Sequence, residues 1–164
     1  MTRRLLLLLP LLLLLVGCAG AWDAPDAPQT IRQALLGLGK RAAETVETTS
    51  PLPRPAADQV LLLAMPEVDP DLQVDDTRLL ESLTRALLGI DRGPQVLDWQ
   101  PALSEGAGRN LWRLDSRLMA SGPRLTLSDR QLLPYRLRLT LRRPGSETAV
   151  WETHIDGALD ASAL

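Results

Sequence analysis

Tyr135-Arg136-Leu137-Arg138-Leu139-Thr140-Leu141-Arg142 alternates an apolar with a polar residue over eight positions. Successive side chains of an extended chain point to opposite faces, so this stretch predicts a strand with one face buried and one wet. The same period holds on either side. Arg124-Leu125-Thr126-Leu127-Ser128 alternates before it, and beyond the turn at Pro144-Gly145-Ser146 the chain from Thr148 to Ile155 reads as a further strand bearing Trp151.

Upstream, the period changes. Pro101 or Ser104 opens a stretch read as helix through about Met119, with Leu111, Leu114 and Leu118 on its apolar side. Before it, Gln95 to Trp99 is a short strand. Asp76 is placed to cap a helix from Thr77 to about Ile90, whose apolar face carries Leu79, Leu80, Leu83, Leu87 and Ile90. Gln59-Val60-Leu61-Leu62-Leu63-Ala64-Met65 is continuously apolar and ends at Pro66, the pattern of an interior strand covered on both faces. Nearer the start, Ile31, Ala34, Leu35, Leu38, Ala42 and Val46 recur at helical spacing behind Thr30, a suitable N-cap. That helix ends near Thr48 despite Gly37 and Gly39, and Ser50-Pro51-Leu52-Pro53-Arg54-Pro55 follows as a stiff linker. The expected fold class is therefore α/β of the α+β kind. It has a small mixed sheet of four to five strands and two or three helices, in the order α-β-α-β-α-β-β-β.

The chain has 164 residues, 45% hydrophobic and 23% charged, which fits one modest domain and excludes a repeat array or a disordered chain. It has no Phe, so leucine must make most of the core. One cysteine excludes an internal disulfide, and one histidine with that cysteine cannot build a zinc site of soft ligands. No G-x-S-x-G, P-loop or G-x-G-x-x-G is present, and His154 is the only general base of the usual kind. It falls in the terminal strand, where a surface role is expected, so no catalytic residue is assigned. Asp69, Asp71, Asp75 and Asp76 could crowd a calcium ion, but their spacing misses the EF-hand pattern and they read as a solvated acidic loop. No metal site is assigned.

Residues 1–18 read MTRRLLLLLPLLLLLVGC. Arg3 and Arg4 precede twelve apolar residues, a helix of about 18 Å against a hydrocarbon core of about 30 Å. The pattern is that of a secretory signal peptide. Leu15-Val16-Gly17-Cys18 also resembles the lipobox of bacterial lipoproteins. The resemblance implies removal of residues 1–17, covalent lipid on Cys18 as the sole added group, and, with Ala19 following, sorting to the periplasmic face of the outer membrane. An ordinary signal peptide with an incidental cysteine is the alternative.

The organisation expected is a signal peptide at 1–17, a lipidated tether at 18–30 rich in Ala, Pro and Asp, a helix and Pro-rich linker at 31–57, and a globular domain at 58–164. Laid end to end, tether, helix and linker would hold the domain at most about 100 Å from its anchor.

Without Arg3 and Arg4 the chain carries 16 basic and 20 acidic groups, a net charge of −4 that gives no reason to expect nucleic acid as a partner. The placement is uneven: nine arginines fall between Arg109 and Arg143 against Asp115 and Asp129 alone. Arg109, Arg113 and Arg117 repeat every four residues, one face of the expected helix, while Arg136, Arg138 and Arg142 share a strand face. Such faces suit carboxylate or phosphate partners. The alternative is pairing with the acidic first half of the chain, or solvation. The candidate partner surface is Arg109, Arg113, Arg117, Arg136 and Arg138.

The lipobox, the Pro-rich arm, the apolar strand Val60–Met65 running into an acidic loop and the Asp75-Asp76-Thr77 helix start resemble one family. It is the LpoB type of outer-membrane lipoprotein that activates penicillin-binding proteins. The tyrosine-led strand at Tyr135–Leu141 and the tryptophan-bearing one at Trp151-Glu152 are similar too, so that the likeness spans about residues 58–156. The chain departs from the family at Pro66–Val74, which has no asparagine-rich stretch, at Ala120-Ser121-Gly122-Pro123, and in the helix at 30–48. The resemblance implies a non-enzymatic regulator, anchored in the outer membrane, that activates a peptidoglycan synthase by contact. The alternative is an assembly or stability factor for another envelope machine.

Overall fold

The computed structural model describes residues 30–104 and 108–161. Two helices cover one face of a mixed sheet, the α+β class that the periodicity predicts. Helix α1 (Ile31–Thr49) starts at Thr30, whose side chain accepts from the Gln33 backbone N–H while the Gln33 side chain accepts from the Thr30 N–H, a capping box. It buries Leu35, Leu38, Gly39, Ala42, Ala43 and Val46. Strand β1 (Val60–Leu63) and the two-residue β2 (Glu67–Val68) follow. Helix α2 (Asp76–Leu88) then packs Leu79, Ser82, Leu83 and Leu87 inward. Its N-cap is Asp75, one residue before the Asp76 expected, because the Asp75 carboxylate accepts from the Arg78 N–H at 2.9 Å. Strands β3 (Gln95–Asp98), β4 (Leu111–Ala120), β5 (Leu125–Thr126), β6 (Gln131–Arg142) and β7 (Ala149–Asp160) complete the chain.

One expected element is corrected. The helix assigned from Pro101 or Ser104 to Met119 is instead a short 3-10 turn at Pro101–Ser104 and the ten-residue strand β4. Residues four apart share a face in a helix and in a strand alike, so the spacing of Leu114 and Leu118 cannot tell the two apart. Trp112 and Ser116, two residues either side of Leu114, are buried with it, which is the period of a strand. Among the described residues the order is thus α-β-β-α-β-β-β-β-β, with two helices and seven strands where four to five strands were expected. Two of the additions, β2 and β5, are only two residues long.

The sheet runs β3-β1-β4-β6-β7, with β2 extending the β1 side of β4 and β5 paired to the start of β6. The β3, β1 and β4 strands are parallel, a pairing that requires crossover connections such as the one through α2 between β1 and β3, whereas β4, β6 and β7 form an antiparallel meander. As its unbroken apolar sequence predicts, β1 is interior: Leu61, Leu62 and Leu63 are all within 3% of full burial. Leu61 and Leu63 join the helix-side core, while Leu62 is buried on the other face, in register with Arg113.

Tyr135, Leu137, Leu139 and Leu141 lie on the helix side with no more than 1% exposure, as the alternation predicts. The helix at 31–49 docks on this core: Leu35, Leu38, Ala42, Ala43 and Val46 join the same apolar cluster as the sheet leucines. Two close approaches fix it. Gly39 lies against Ser82 of α2, whose hydroxyl donates to the Leu35 carbonyl. Arg41 donates to the Tyr135 hydroxyl, and Tyr135 lies over Gly157 of β7, where a Cβ would stand 2.5 Å from the phenol oxygen. Only a glycine leaves room for that ring.

Candidate functional site

The lipidation candidate, Cys18, lies outside the described residues, as do the leader and most of the tether. The candidate arginines are described, and the correction to β4 changes their setting. Arg113 and Arg117 stand on a strand, not a helix, and their face is the one opposite α1 and α2. Since β4 pairs directly with β6, Arg117 is in register with Arg138, and Met119 with Arg136. Four of the five residues therefore share the open face of the sheet. Arg109 does not: it lies in the turn before β4, exposed, with its carbonyl accepting from Arg143.

Arginines directly opposite one another repel, and acids on neighbouring strands interleave with them. Arg117 pairs with Glu67 of β2. Arg136 holds both oxygens of Asp156 on β7, at 2.7 and 3.1 Å, and Arg138 lies 3.8 Å from Glu152. Asp115 sits between the register partners Arg113 and Arg142, 2.8 Å from each, and Arg142 also reaches Glu147. The guanidinium of Arg113 further lies 4.8 Å from the centre of the Trp99 ring. The counter-charges were not singled out in the sequence, although Glu152 and Asp156, four residues apart on β7, share one strand face as Arg138 and Arg142 do on β6.

Bidentate pairing has electrostatic consequences. The Arg136 hydrogen bond holds the Asp156 carboxyl below the usual aspartate range, and Asp156 in turn raises Arg136. On the covered face, burial pushes the Tyr135 phenol above the usual tyrosine range, opposed by the charge and hydrogen bond of Arg41.

A groove of about 200 Å³ runs through this mosaic, bounded by Glu67, Asp115, Arg117, Arg138, Arg142 and Glu152. Most of these pairs are exposed on both sides, and an exposed ion pair contributes only about 0–1 kcal/mol. Such pairs open at little cost. The face thus presents four guanidinium groups, those of Arg113, Arg117, Arg136 and Arg138, whose planar forks suit carboxylates.

The other sequence candidates are accounted for individually. His154 is exposed on β7, 3.8 Å from Asp156. Asp69 accepts from the backbone of Asp71 and Ala120, Asp75 caps α2, and Asp76 accepts from Thr77. Among the described residues no group of three or more His, Cys, Asp or Glu is placed to hold a metal ion.

No family model and no curated protein matches the chain by sequence. Similar solved structures include the lipoprotein GNA1162 from Neisseria meningitidis, with TM-score 0.46 and 11% identity, covering 63% of this chain and 85% of that one. Protein XCC0632 from Xanthomonas campestris, of family model DUF330, has TM-score 0.44 and 12% identity over 63% of this chain and 67% of its own. The hypothetical protein CT253 from Chlamydia trachomatis has TM-score 0.44 and 8% identity over 63% and 74%.

Proposed function

We propose that this chain is an envelope lipoprotein, anchored through lipid on Cys18 at the periplasmic face of the outer membrane, that acts without catalysis by contacting another envelope protein. The observation that carries the reading is the sequence Leu15-Val16-Gly17-Cys18 at the end of a leader with a basic start and a short apolar run. The open face of the sheet, with Arg113, Arg117, Arg136 and Arg138, is the contact surface in this reading. Its resemblance to the LpoB type makes a peptidoglycan synthase, a penicillin-binding protein, the first partner to test.

One structural observation favours the second reading, an assembly or stability factor for an outer-membrane machine. Because α1 docks on the core, helix and linker add no reach, and only the eleven residues Ala19–Gln29 separate Cys18 from Thr30. Fully extended they span about 40 Å, well short of the 100 Å of an end-to-end arrangement. A partner close to the outer membrane fits that distance better than one at the inner membrane.

The experiment is a pull-down from detergent-solubilised envelopes, followed by glycan polymerisation and crosslinking assays with any synthase captured. Stimulation of a synthase, lost when Arg117 and Arg138 are both changed to Glu, supports activation. Capture of outer-membrane components with no effect on synthesis supports the assembly reading. Capture that survives the reversal rejects the sheet face as the contact.

A further inference from the structure

Beyond the arginine rows the open face of the sheet changes character. Leu125 of β5 is in register with Leu132 of β6, and Pro134 with Ala158 of β7, all on the face that carries Arg136 and Arg138. Leu127, two residues past Leu125, shares that face, and its N–H donates to the Arg130 carbonyl to close the hairpin turn. Leu125 and Leu127 are 47% and 48% exposed. Strand β4 ends at Ala120, opposite Tyr135, so the hairpin of β5 and β6 projects past it. The charges around this apolar tip offset one another: Arg130 pairs with Asp129, while Arg124 and Asp160 stand on either side.

The chain leaves the domain toward Cys18 at this same end. The Glu47 end of α1 lines a cleft with Ser50 and Pro94, next to Gln95, which is in register with Val60 and through it with Leu111 at the start of β4. Thr30, at the other end of α1, therefore lies toward the Ala120 end of β4, where the hairpin is. From Arg41, which donates to the Tyr135 hydroxyl, the start of α1 is about 15 Å back along the helix. From Tyr135 the turn at Arg130 is about 17 Å back along the strand. We propose that Leu125 and Leu127 dip into the phospholipid surface that holds the Cys18 lipid, so that the domain stands on its hairpin with the arginine rows further out. The inference rests on the lipid anchor proposed above. With at most about 40 Å of chain between Cys18 and Thr30, the hairpin end is the one held against the lipid. Apolar side chains on a projecting turn are stabilised by entering the boundary between headgroups and acyl chains. With its neighbouring charges offset, the tip needs no particular headgroup charge.

The test uses the full mature chain, acylated at Cys18 and reconstituted in phosphatidylcholine vesicles. Cys18 is the only cysteine, and lipid on its sulfur leaves no free thiol. Ser128→Cys at the turn then takes a single nitroxide label while both leucines stay in place. Its ratio of collisions with oxygen to collisions with a water-soluble nickel chelate should be several-fold higher than that of a label at Val150→Cys. Val150 is exposed on the same face, at the opposite end of β7. Changing Leu125 and Leu127 to Thr, which suits a strand, should bring the ratio down to the Val150 level with far-UV circular dichroism unchanged. Leu127→Thr alone, at the turn, should lower it in part. A Ser128→Cys label as open to nickel as the one at Val150→Cys, or a ratio that survives the threonine changes, overturns the docking while the anchor stands. Suppressed collisions with both reagents mark contact with protein and overturn it as well. A chain that takes label at Cys18 and stays off the vesicles instead overturns the anchor itself, and the docking with it.

Discussion

Two glycines two residues apart in α1 are expected to respond oppositely to the same substitution. Glycine costs a helix about 1 kcal/mol relative to alanine, so Gly37→Ala and Gly39→Ala start with the same gain. At Gly37 an added Cβ meets nothing within 4 Å, and the gain stands. At Gly39 it would lie 2.6 Å from both the carbonyl oxygen and the hydroxyl of Ser82, and 2.9 Å from the Ser82 carbonyl carbon. Two of those atoms are backbone, so α1 and α2 must separate by most of an ångström. Overpacking of that kind costs about 1–3 kcal/mol, and loss of the hydrogen bond from Ser82 to Leu35 adds about 1. Net of the helical gain, Gly39→Ala should destabilise by about 1–3 kcal/mol while Gly37→Ala stabilises by about 1. In thermal unfolding followed at 222 nm, the first should lower Tm by roughly 4–12 °C and the second raise it by roughly 4 °C. The comparison also tests whether α1 belongs to the domain. If it stood apart in the arm, both alanines would act alike, and a Gly39→Ala protein as stable as the parent would refute the helix packing.

Tyr135 is the only tyrosine, so absorbance at 295 nm reports its ionisation alone. Burial raises its folded pKa above the usual value of about 10, so its contribution to stability is complete below pH 10 and lost as pH rises through the higher folded value. The ultraviolet midpoint should lie above 10 and climb further in Arg41→Leu; a midpoint at or below 10 would contradict the buried site. Asp115→Asn removes the charge between Arg113 and Arg142, both about a quarter exposed. It should cost about 2 kcal/mol in urea unfolding, the scale of a hydrogen bond to a charged group. A loss below 0.5 kcal/mol would show that solvent, not Asp115, separates the two arginines.

Strand β6 was legible because both determinants of a sheet face, the alternation and the leucine and arginine types, agree over eight residues. The interior place of β1 followed from apolar residues on both of its faces. The segment Leu111–Ala120 was not legible by spacing, since Leu114 and Leu118, like Arg113 and Arg117, are four apart and share a face in either conformation. What decides it is pairing with β1 on one side and β6 on the other, a non-local fact. The docking of α1 was equally hidden: its apolar stripe announces a buried face but not which surface buries it. For the candidate site, the arginines stood out in the sequence. Their acidic partners did not, because Glu67 lies 50 residues from Arg117 and only the β2–β4 pairing joins them.

The most direct measurement is of the mature amino terminus and its chemistry. Cells grown with radiolabelled palmitate should yield a labelled chain beginning at Cys18, held in the outer-membrane fraction, with label and anchoring both lost in Cys18→Ala. An unlabelled chain, cut at another residue and recovered in solution, would contradict the account at its root.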